Sequence, residues 1–250
     1  MKAKRYPDCV GVIQLPALGG SAGARGLSPL DALQRAGKAA VEEARTLVKT
    51  GFRGILVENF GDRPFYGSRV PAETISALAI ILAAIRDDVR VPLGVRVLRN
   101  DVRGALGLAA VTGCDFIRVT LPPGSNAAAE LHRERARLGT EVAVFVDAHA
   151  TEIESLVRIG GVDGVILSPE SGVATDESAL EIARAAKRRT GASVWIESKS
   201  VPGFGVFAGS VLRRGGRAGA KLDPARIRAF LGQRSTYLEP RSTTLSSIHG

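Results

Sequence analysis

Short apolar segments rich in Val and Ile alternate along this chain with segments that carry apolar residues at helical spacing. Such a short run is typical of a strand buried on both faces, and strands alternating with helices require a parallel sheet covered by helices. Eight repeats of this unit predict a closed (β/α)8 barrel, which we favour over an open doubly wound sheet. The predicted strands span residues 9–15, 54–58, 93–98, 115–120, 141–146, 164–167, 193–196 and 206–208.

The length of the chain, 250 residues, is typical of a single barrel of this kind. The last repeat is irregular, because only residues 198–205 separate the seventh and eighth predicted strands. That connection is too short for the usual crossover of ~10–12 residues, so we expect a shortened or missing seventh helix. The barrel domain is predicted to span residues 1–231, and the polar segment 232–250 is predicted to be a disordered tail.

The formal charge of +9 and the isoelectric point near 10.1 favour anionic partners. The basic residues are scattered, and the aromatic residues, 5% of the chain, do not interleave with them as in a single-strand nucleic-acid platform. We therefore expect no nucleic-acid partner. The sequence has neither an apolar run of the ~20 residues that span a bilayer nor a cleavable leader, which favours a cytoplasmic protein.

Metal and disulfide chemistry find little support in the sequence. Cys9 and Cys114 lie in or beside predicted strands, and we interpret them as small buried hydrophobic side chains. The three histidines show no HExxH or similar spacing. We predict no metal site and no cofactor.

Polar residues follow the second predicted strand where its apolar run, residues 55–57, ends. Glu58 and Asn59 come directly after this run, and Asp62 follows shortly afterwards. Because the chemistry of parallel barrels lies at the carboxyl ends of the strands, we predict a carboxylate–amide cluster here that serves catalysis and substrate binding. Glu58 would act as a general base or bind a divalent cation. The alternative is a loop brace in which Glu58 pairs with an Arg of a neighbouring strand.

The third and fifth predicted strands end in the same way. Arg99 and Asn100 follow the third strand and are predicted to contact the substrate, whereas Asp101 is placed to cap the next helix. Asp147 and His149 end the fifth strand, and we predict that both serve acid–base catalysis. A loop histidine without a catalytic part is the alternative for His149.

Two arginines, Arg96 and Arg118, fall inside predicted strands. A buried guanidinium is costly unless it is paired. We predict that one of them reaches a strand-end carboxylate such as Glu58 or Asp147, and we favour structural pairing over substrate contact.

A phosphate-binding position is predicted after the eighth strand, at Gly209 and Ser210. In phosphate-binding barrels this position offers backbone N–H groups at the start of a short helix. Lys199, in the loop after the seventh strand, is predicted to add positive charge for substrate binding.

Four motifs, in order along the strands, resemble those of the BtpA family. They are VGVIQLP at residues 10–16, VENFGD at 57–62, GVRVLRND at 94–101 and FIRV at 116–119. The resemblance implies a TIM barrel of the ribulose-phosphate-binding type, in a family whose members mostly have no assigned reaction. Gln14 stands where the family usually has His, and Arg96 stands where it usually has Asn.

Two functions remain open at this point. The first is an enzyme, or a former enzyme, that binds a small phosphorylated or anionic metabolite at the carboxyl-terminal barrel face. Its chemistry would be that of a lyase or isomerase, through Glu58 and Asp147. The second, implied by the name of the family, is a non-catalytic assembly or stability factor for a membrane complex such as photosystem I, associated with an anionic membrane surface. The reaction, a homo-oligomeric state and a photosynthetic source also stay open.

Overall fold

The computed structural model describes residues 6–121, 127–159, 161–168, 177–197 and 199–238. Its strands are all parallel and close into one barrel, in which each strand pairs with the next along the chain and the last pairs with the first. The predicted (β/α)8 barrel is therefore confirmed. The strands are β1 Cys9–Gln14, β2 Gly54–Glu58, β3 Leu93–Arg96, β4 Phe116–Thr120, β5 Ala143–Asp147, β6 Gly164–Leu167, β7 Ser193–Glu197 and β8 Gly205–Ala208.

Helices cover the outside of the barrel and alternate with the strands. The first shows how the sequence fixes its ends. Pro29 occupies the first turn, the Ser28 side chain accepts a hydrogen bond from the Asp31 backbone, and Gly51 ends the helix with a left-handed φ of 110°. The helices are α1 Pro29–Thr50, α2 Ala72–Asp88, α3 Val102–Thr112, α4 Ala127–Leu138, α5 Ile153–Ile159, α6 Glu177–Thr190 and α7 Pro224–Leu238.

Aromatic side chains fill the inside of the barrel. Phe145 packs edge-to-face against Phe116, with ring centroids 5.4 Å apart, and against Trp195 at 4.5 Å. Glycines on the neighbouring strands make room for them, since a Cβ on Gly94 would lie 2.1 Å from Phe116 and one on Gly205 would lie 2.1 Å from Trp195. The barrel interior is thus a packed core, and any binding site must lie above it.

The seventh crossover differs from the others, as predicted. In the part of this connection that the structure describes, residues 199–204, the chain makes a turn closed by a hydrogen bond from Phe204 N to Val201 O, and it forms no helix. The loop residue Ser198 lies outside the described residues. Cys9 and Cys114 are buried free thiols, which confirms their interpretation, and burial raises the pKa of each to about 11.

Several predicted strand ends shift by one or two residues, among them the start of the fifth strand, which is Ala143 rather than Glu141. The third strand ends at Arg96 rather than Leu98, because the Leu98 N–H donates to the Asn59 side chain and leaves the sheet. The last helix continues to Leu238, beyond the predicted domain limit at residue 231. The remainder of the predicted disordered tail, residues 239–250, lies outside the described residues.

Candidate functional site

Seven polar residues form one layer inside the barrel at the carboxyl ends of the strands. Alternate residues of a strand point to the same side of the sheet. The inward residues Val12, Leu56, Phe116, Phe145, Ile166 and Trp195 belong to one apolar cluster, so the inward residues two positions later lie directly above it. We call this group the ion layer. Its members are Gln14, Glu58, Arg96, Arg118, Asp147, Ser168 and Glu197.

Arg118 is the centre of the ion layer. Its side chain is fully buried and donates to both Asp147 and Glu197, with closest N–O distances of 2.7 and 3.0 Å. Ser168 donates a short hydrogen bond to Glu197 from the neighbouring strand. These contacts confirm that a strand arginine reaches a strand-end carboxylate, and they give Arg118 a structural part.

Arg96 joins the two predicted catalytic carboxylates. One guanidinium nitrogen lies 3.0 Å from Asp147, and another lies 3.6 Å from Glu58. Glu58 also accepts a hydrogen bond from the Gln14 amide at 3.0 Å. Gln14 in turn accepts one from the backbone of Gly219. Glu58 therefore pairs with an Arg of a neighbouring strand, as the loop-brace alternative for this residue predicted.

The formal charges of the ion layer do not cancel if every group is ionised, because its members include three carboxyls, Glu58, Asp147 and Glu197, and two guanidinium groups, Arg96 and Arg118. Burial opposes ionisation of Glu197, but Arg118 and Ser168 outweigh it and lower its pKa from 4.5 to about 2. Glu58 behaves in the opposite way. Burial raises its pKa in spite of Arg96, Arg118 and Gln14. A proton on Glu58 would balance the layer.

A second feature lies to one side of the ion layer. A cavity of about 390 Å³ opens between the loops that follow β1, β2 and β3. We call it the lateral cavity. Its walls are mostly apolar, with a few polar groups among them, as in small-molecule sites. Residues that line it include Asn59, Asp62, Phe65, Tyr66, Thr74 and Leu98.

Asn59 and Asp62 hold these loops in place. The Asn59 amide donates to Asp62 at 3.0 Å, and its oxygen accepts the backbone N–H of Leu98 at 2.7 Å. Asp62 accepts the backbone N–H of Leu18, at 2.7 Å, from the loop after β1. The two side chains thus tie the three loops together. The predicted carboxylate–amide cluster is divided, since Glu58 belongs to the ion layer and its neighbours line the lateral cavity.

Arginines lie against the aromatic residues of this region. The guanidinium carbon of Arg63 is 4.1 Å from the centre of the Phe60 ring and 5.5 Å from that of Phe65. That of Arg99 is 5.6 Å from the same Phe65 ring. Both arginines are exposed. Stacking on the rings holds two cations beside a residue that lines the lateral cavity.

The loops after β8, β1, β2 and β3 carry one sign of charge. Among their described residues, every exposed charged side chain is basic, and the acidic ones, Asp62, Asp101 and Asp223, are buried or half-buried. A surface of one sign raises the local concentration of ligands of the other sign. We call this surface the basic rim. It consists of Arg25, Arg63, Arg69, Arg99, Arg214, Arg217 and Lys221.

The other residues predicted around the third and fifth strands lie near the mouth of the barrel. Asp101 accepts the Gly104 N–H and caps α3, which confirms its predicted part. Asn100 is half-buried and has a left-handed φ of 62°. His149 is exposed and starts the turn before α5, where its backbone N–H donates to Glu152. For Asn100 and His149, roles in substrate binding and catalysis stay predictions.

The predicted phosphate position does not lie at the N-terminus of a long helix. Gly209 precedes a short 3-10 turn, Ser210–Leu212. The Leu212 N–H already donates a hydrogen bond to the Gly209 carbonyl. Ser210 is half-buried, and Lys199 is exposed in the loop after β7. Anion binding by these residues stays a prediction.

Sequence reasoning missed several residues of both regions. Glu197 ends β7 as Glu58 ends β2, so the rule that identified Glu58 also applies to it. Ser168 and Thr74 had no comparable signal, because a hydroxyl after a strand or in a helix is common in any protein.

Two absences concern the described part of the chain. There, no group of three or more His, Cys, Asp or Glu side chains is arranged to hold a metal ion. None of the helices within that part is both long and apolar enough to cross a membrane.

The family model and a curated relative both match the BtpA family. The model of the BtpA family matches residues 6–235. The photosystem I biogenesis protein BtpA of Synechocystis sp. is 34% identical over 223 residues, which cover 77% of each chain. An uncharacterised protein of Thermococcus kodakarensis is 39% identical over 149 residues, which cover 55% of each chain.

Among solved structures, a mandelate racemase/muconate lactonizing enzyme-like protein from Rubrobacter xylanophilus is similar, with a TM-score of 0.55. The match covers 89% of this chain and 68% of that protein, at 14% sequence identity. At this identity the similarity shows a shared barrel fold.

Proposed function

The chain belongs to the BtpA family, and from this premise we propose that it binds a small anionic metabolite, such as a phosphate ester, at the carboxyl-terminal face of its barrel. The binding site in this proposal is the lateral cavity, with Arg63 and Arg99 at its edge. One observation carries the proposal. A cavity of about 390 Å³, which is within the size range of small-molecule sites, opens beside the basic rim. The exposed Glu73 of α2, next to the cavity residue Gly20, is the one acidic side chain noted at this edge among the described residues.

The charge distribution supports an anion in particular. Arg63 and Arg99 are exposed, and both lie over the ring of Phe65, which lines the cavity. A guanidinium donates to phosphate or carboxylate oxygens in a fixed fork, and its stacking on a ring limits the freedom that binding must remove. The basic rim would attract the ligand, and these arginines would hold it.

We propose binding of the metabolite and no reaction. Lyase or isomerase chemistry through Glu58 and Asp147 stays a prediction, because both carboxyls belong to the ion layer and neither lines the lateral cavity. Asp147 accepts hydrogen bonds from Arg96 and Arg118, so its oxygens are already engaged. Glu58 is the better candidate for proton transfer, since burial raises its pKa from the ordinary value toward neutral pH.

The test is a thermal-shift screen of phosphorylated and carboxylated metabolites, followed by titration calorimetry of each hit. A ligand that binds only the folded state raises its apparent stability. We expect hits whose affinity falls about tenfold or more in Arg99→Ala, as for the loss of a charged hydrogen bond. Arg188→Ala is the matched control, because Arg188 is exposed on α6. Equal affinities for the two variants, or a screen without hits, would exclude the proposed site.

A second function follows from the relative in Synechocystis, whose name describes photosystem I biogenesis. We propose as the alternative that the basic rim docks this chain on an anionic membrane surface near a complex that is being assembled. The formal charge of +9 supports it. Sedimentation with anionic vesicles, lost at high salt and in an Arg63/Arg99 double alanine variant, would favour this function. Sedimentation that is equal with neutral vesicles would exclude it.

A further inference from the structure

Thr74 places an unpartnered hydroxyl at the lateral cavity. The residue lies in the first turn of α2, is only 6% exposed and lines the cavity. Its backbone N–H donates to the Pro71 carbonyl, at 3.1 Å, but its hydroxyl has no hydrogen-bond partner among the described residues. The Thr74 oxygen is not among the fully buried unpartnered side-chain atoms of the described residues, so it is open to the cavity. A ligand there can form this hydrogen bond in place of water.

Asp62 adds an acceptor with free capacity. It is 8% exposed, and its two oxygens each accept one bond, from Leu18 N at 2.7 Å and from the Asn59 amide at 3.0 Å. Both donors are neutral amides, and Asp62 makes no ion pair within the described part of the chain. A carboxylate oxygen has a second lone pair, so each can accept one more donor. Paired hydroxyls on one ring, such as those of ribose, can donate to the oxygens of one carboxylate.

The walls of the cavity favour a flat apolar ring. Phe65, Tyr66, Pro64 and Leu98 form much of its lining, and no basic side chain lines it among the described residues. A phosphate inside the cavity would therefore lack a cation. A free sugar would place hydroxyls against apolar walls, where they lose their hydrogen bonds to water. A heteroaromatic base can stack on Phe65 or Tyr66, a contact worth about 1–3 kcal/mol per base. Tyr66 lines the cavity and is 54% exposed, so part of its surface is still open to a ligand.

We infer that the lateral cavity takes a ribonucleoside monophosphate. The base lies against Phe65 and Tyr66, the ribose hydroxyls donate to Asp62, and the phosphate meets Arg63 and Arg99 at the basic rim. Thr74 donates to, or accepts from, the ribose or base. This inference rests on the proposed function, because it names the class of anion for the same site.

The experiment is titration calorimetry of the full chain with adenosine and uridine monophosphates, their deoxy counterparts, ribose phosphate and inorganic phosphate. We expect the ribonucleotides to bind most tightly. Deoxynucleotides should bind about tenfold more weakly, since each lacks one hydroxyl that would donate a hydrogen bond to Asp62. Ribose phosphate should also lose about tenfold, because it lacks the base.

Thr74→Val removes the hydroxyl and keeps the shape of the side chain. It should weaken ribonucleotide binding about tenfold and leave the thermal stability of the free protein unchanged. Thr151→Val, at an exposed position after β5, is the matched control and should bind as the unchanged protein does.

The outcomes separate the inference from the proposed function. Equal binding of ribo- and deoxynucleotides, or of ribose phosphate and nucleotides, overturns the inference. So does an anionic ligand of another class that needs Arg99 and binds more tightly than every nucleotide, although the proposed function would then stand. If none of these anions and no other anionic metabolite binds, both are overturned.

Discussion

Glu58 and Asn59 are consecutive in the sequence, yet they belong to regions with opposite properties. Glu58 points into the barrel, where Gln14 and Arg96 surround it, and Asn59 points to the loops, where it binds Asp62 and Leu98. The ion layer is largely buried, and its carboxyls contact the arginines of the same layer. The lateral cavity is open and keeps a hydroxyl and a carboxylate with unused hydrogen-bonding capacity.

The difference shows where polar groups serve the fold and where they remain available to a ligand. In many barrels, the residues at the carboxyl ends of the strands carry the chemistry. Here the inward ones close the top of the core with ion pairs, and the outward ones form a cavity.

Arg118→Ala should reduce stability the most. The change leaves Asp147 and Glu197 buried with one cation fewer, and breaking a buried pair in this way costs about 3–5 kcal/mol. Denaturant unfolding measures the loss, and Arg188→Ala should stay within about 0.5 kcal/mol of the unchanged protein. A loss below about 1 kcal/mol would mean that the ion layer does not hold the barrel mouth together.

Glu197→Gln should cost about 3 kcal/mol at neutral pH, because the pKa of Glu197 falls from 4.5 to about 2 on folding. A carboxyl with a lowered pKa stabilises the fold above its ordinary pKa, and that stability is lost as the pH falls through the folded value. The variant and the unchanged protein should therefore converge between pH 4.5 and about 2. Unfolding curves at several pH values that stay parallel would contradict this.

Glu58→Gln should have the opposite dependence on pH. Because the folded protein raises the pKa of Glu58, the folded state binds this proton more tightly, and stability from the neutral acid declines as the pH rises. Glutamine resembles the neutral acid, so the variant should be at least as stable as the unchanged protein at neutral pH. Its advantage should shrink on acidification. A variant that is less stable at neutral pH would show that the ionised Glu58–Arg96 pair matters more.

Asn59→Ala should reduce stability by about 1–3 kcal/mol, since it leaves the buried Leu98 N–H and an oxygen of Asp62 without their partner. It should also weaken ligand binding, because the three loops that form the cavity lose their connection. Unfolding and titration on the same sample measure both. Unchanged binding with reduced stability would show that Asn59 serves the fold alone.

Thr74→Val should change stability least, within about 0.5 kcal/mol, since its hydroxyl has no partner in the described structure. Its effect is expected on binding. A marked loss of stability would show that the hydroxyl already serves the fold.

Much of the fold could be predicted from the sequence, because buried parallel strands leave continuous apolar runs and helices end at Gly51 or begin at Ser28 and Pro29. The pairing of a strand arginine with a carboxylate followed from the cost of a lone buried charge. The grouping of Glu58 with Asn59 and Asp62 did not separate the two regions, although the period of two along a strand sends neighbours to opposite sides. The cavity depends on loops from three strands and on Thr74, and such contacts leave no local pattern.

The most direct test of this division is a crystal structure of the protein soaked with adenosine monophosphate. We expect electron density in the lateral cavity, in contact with Phe65 and Asp62, and an ion layer whose pairs are unchanged. Density on the barrel axis against Glu58 and Asp147, with their arginines displaced, would contradict it.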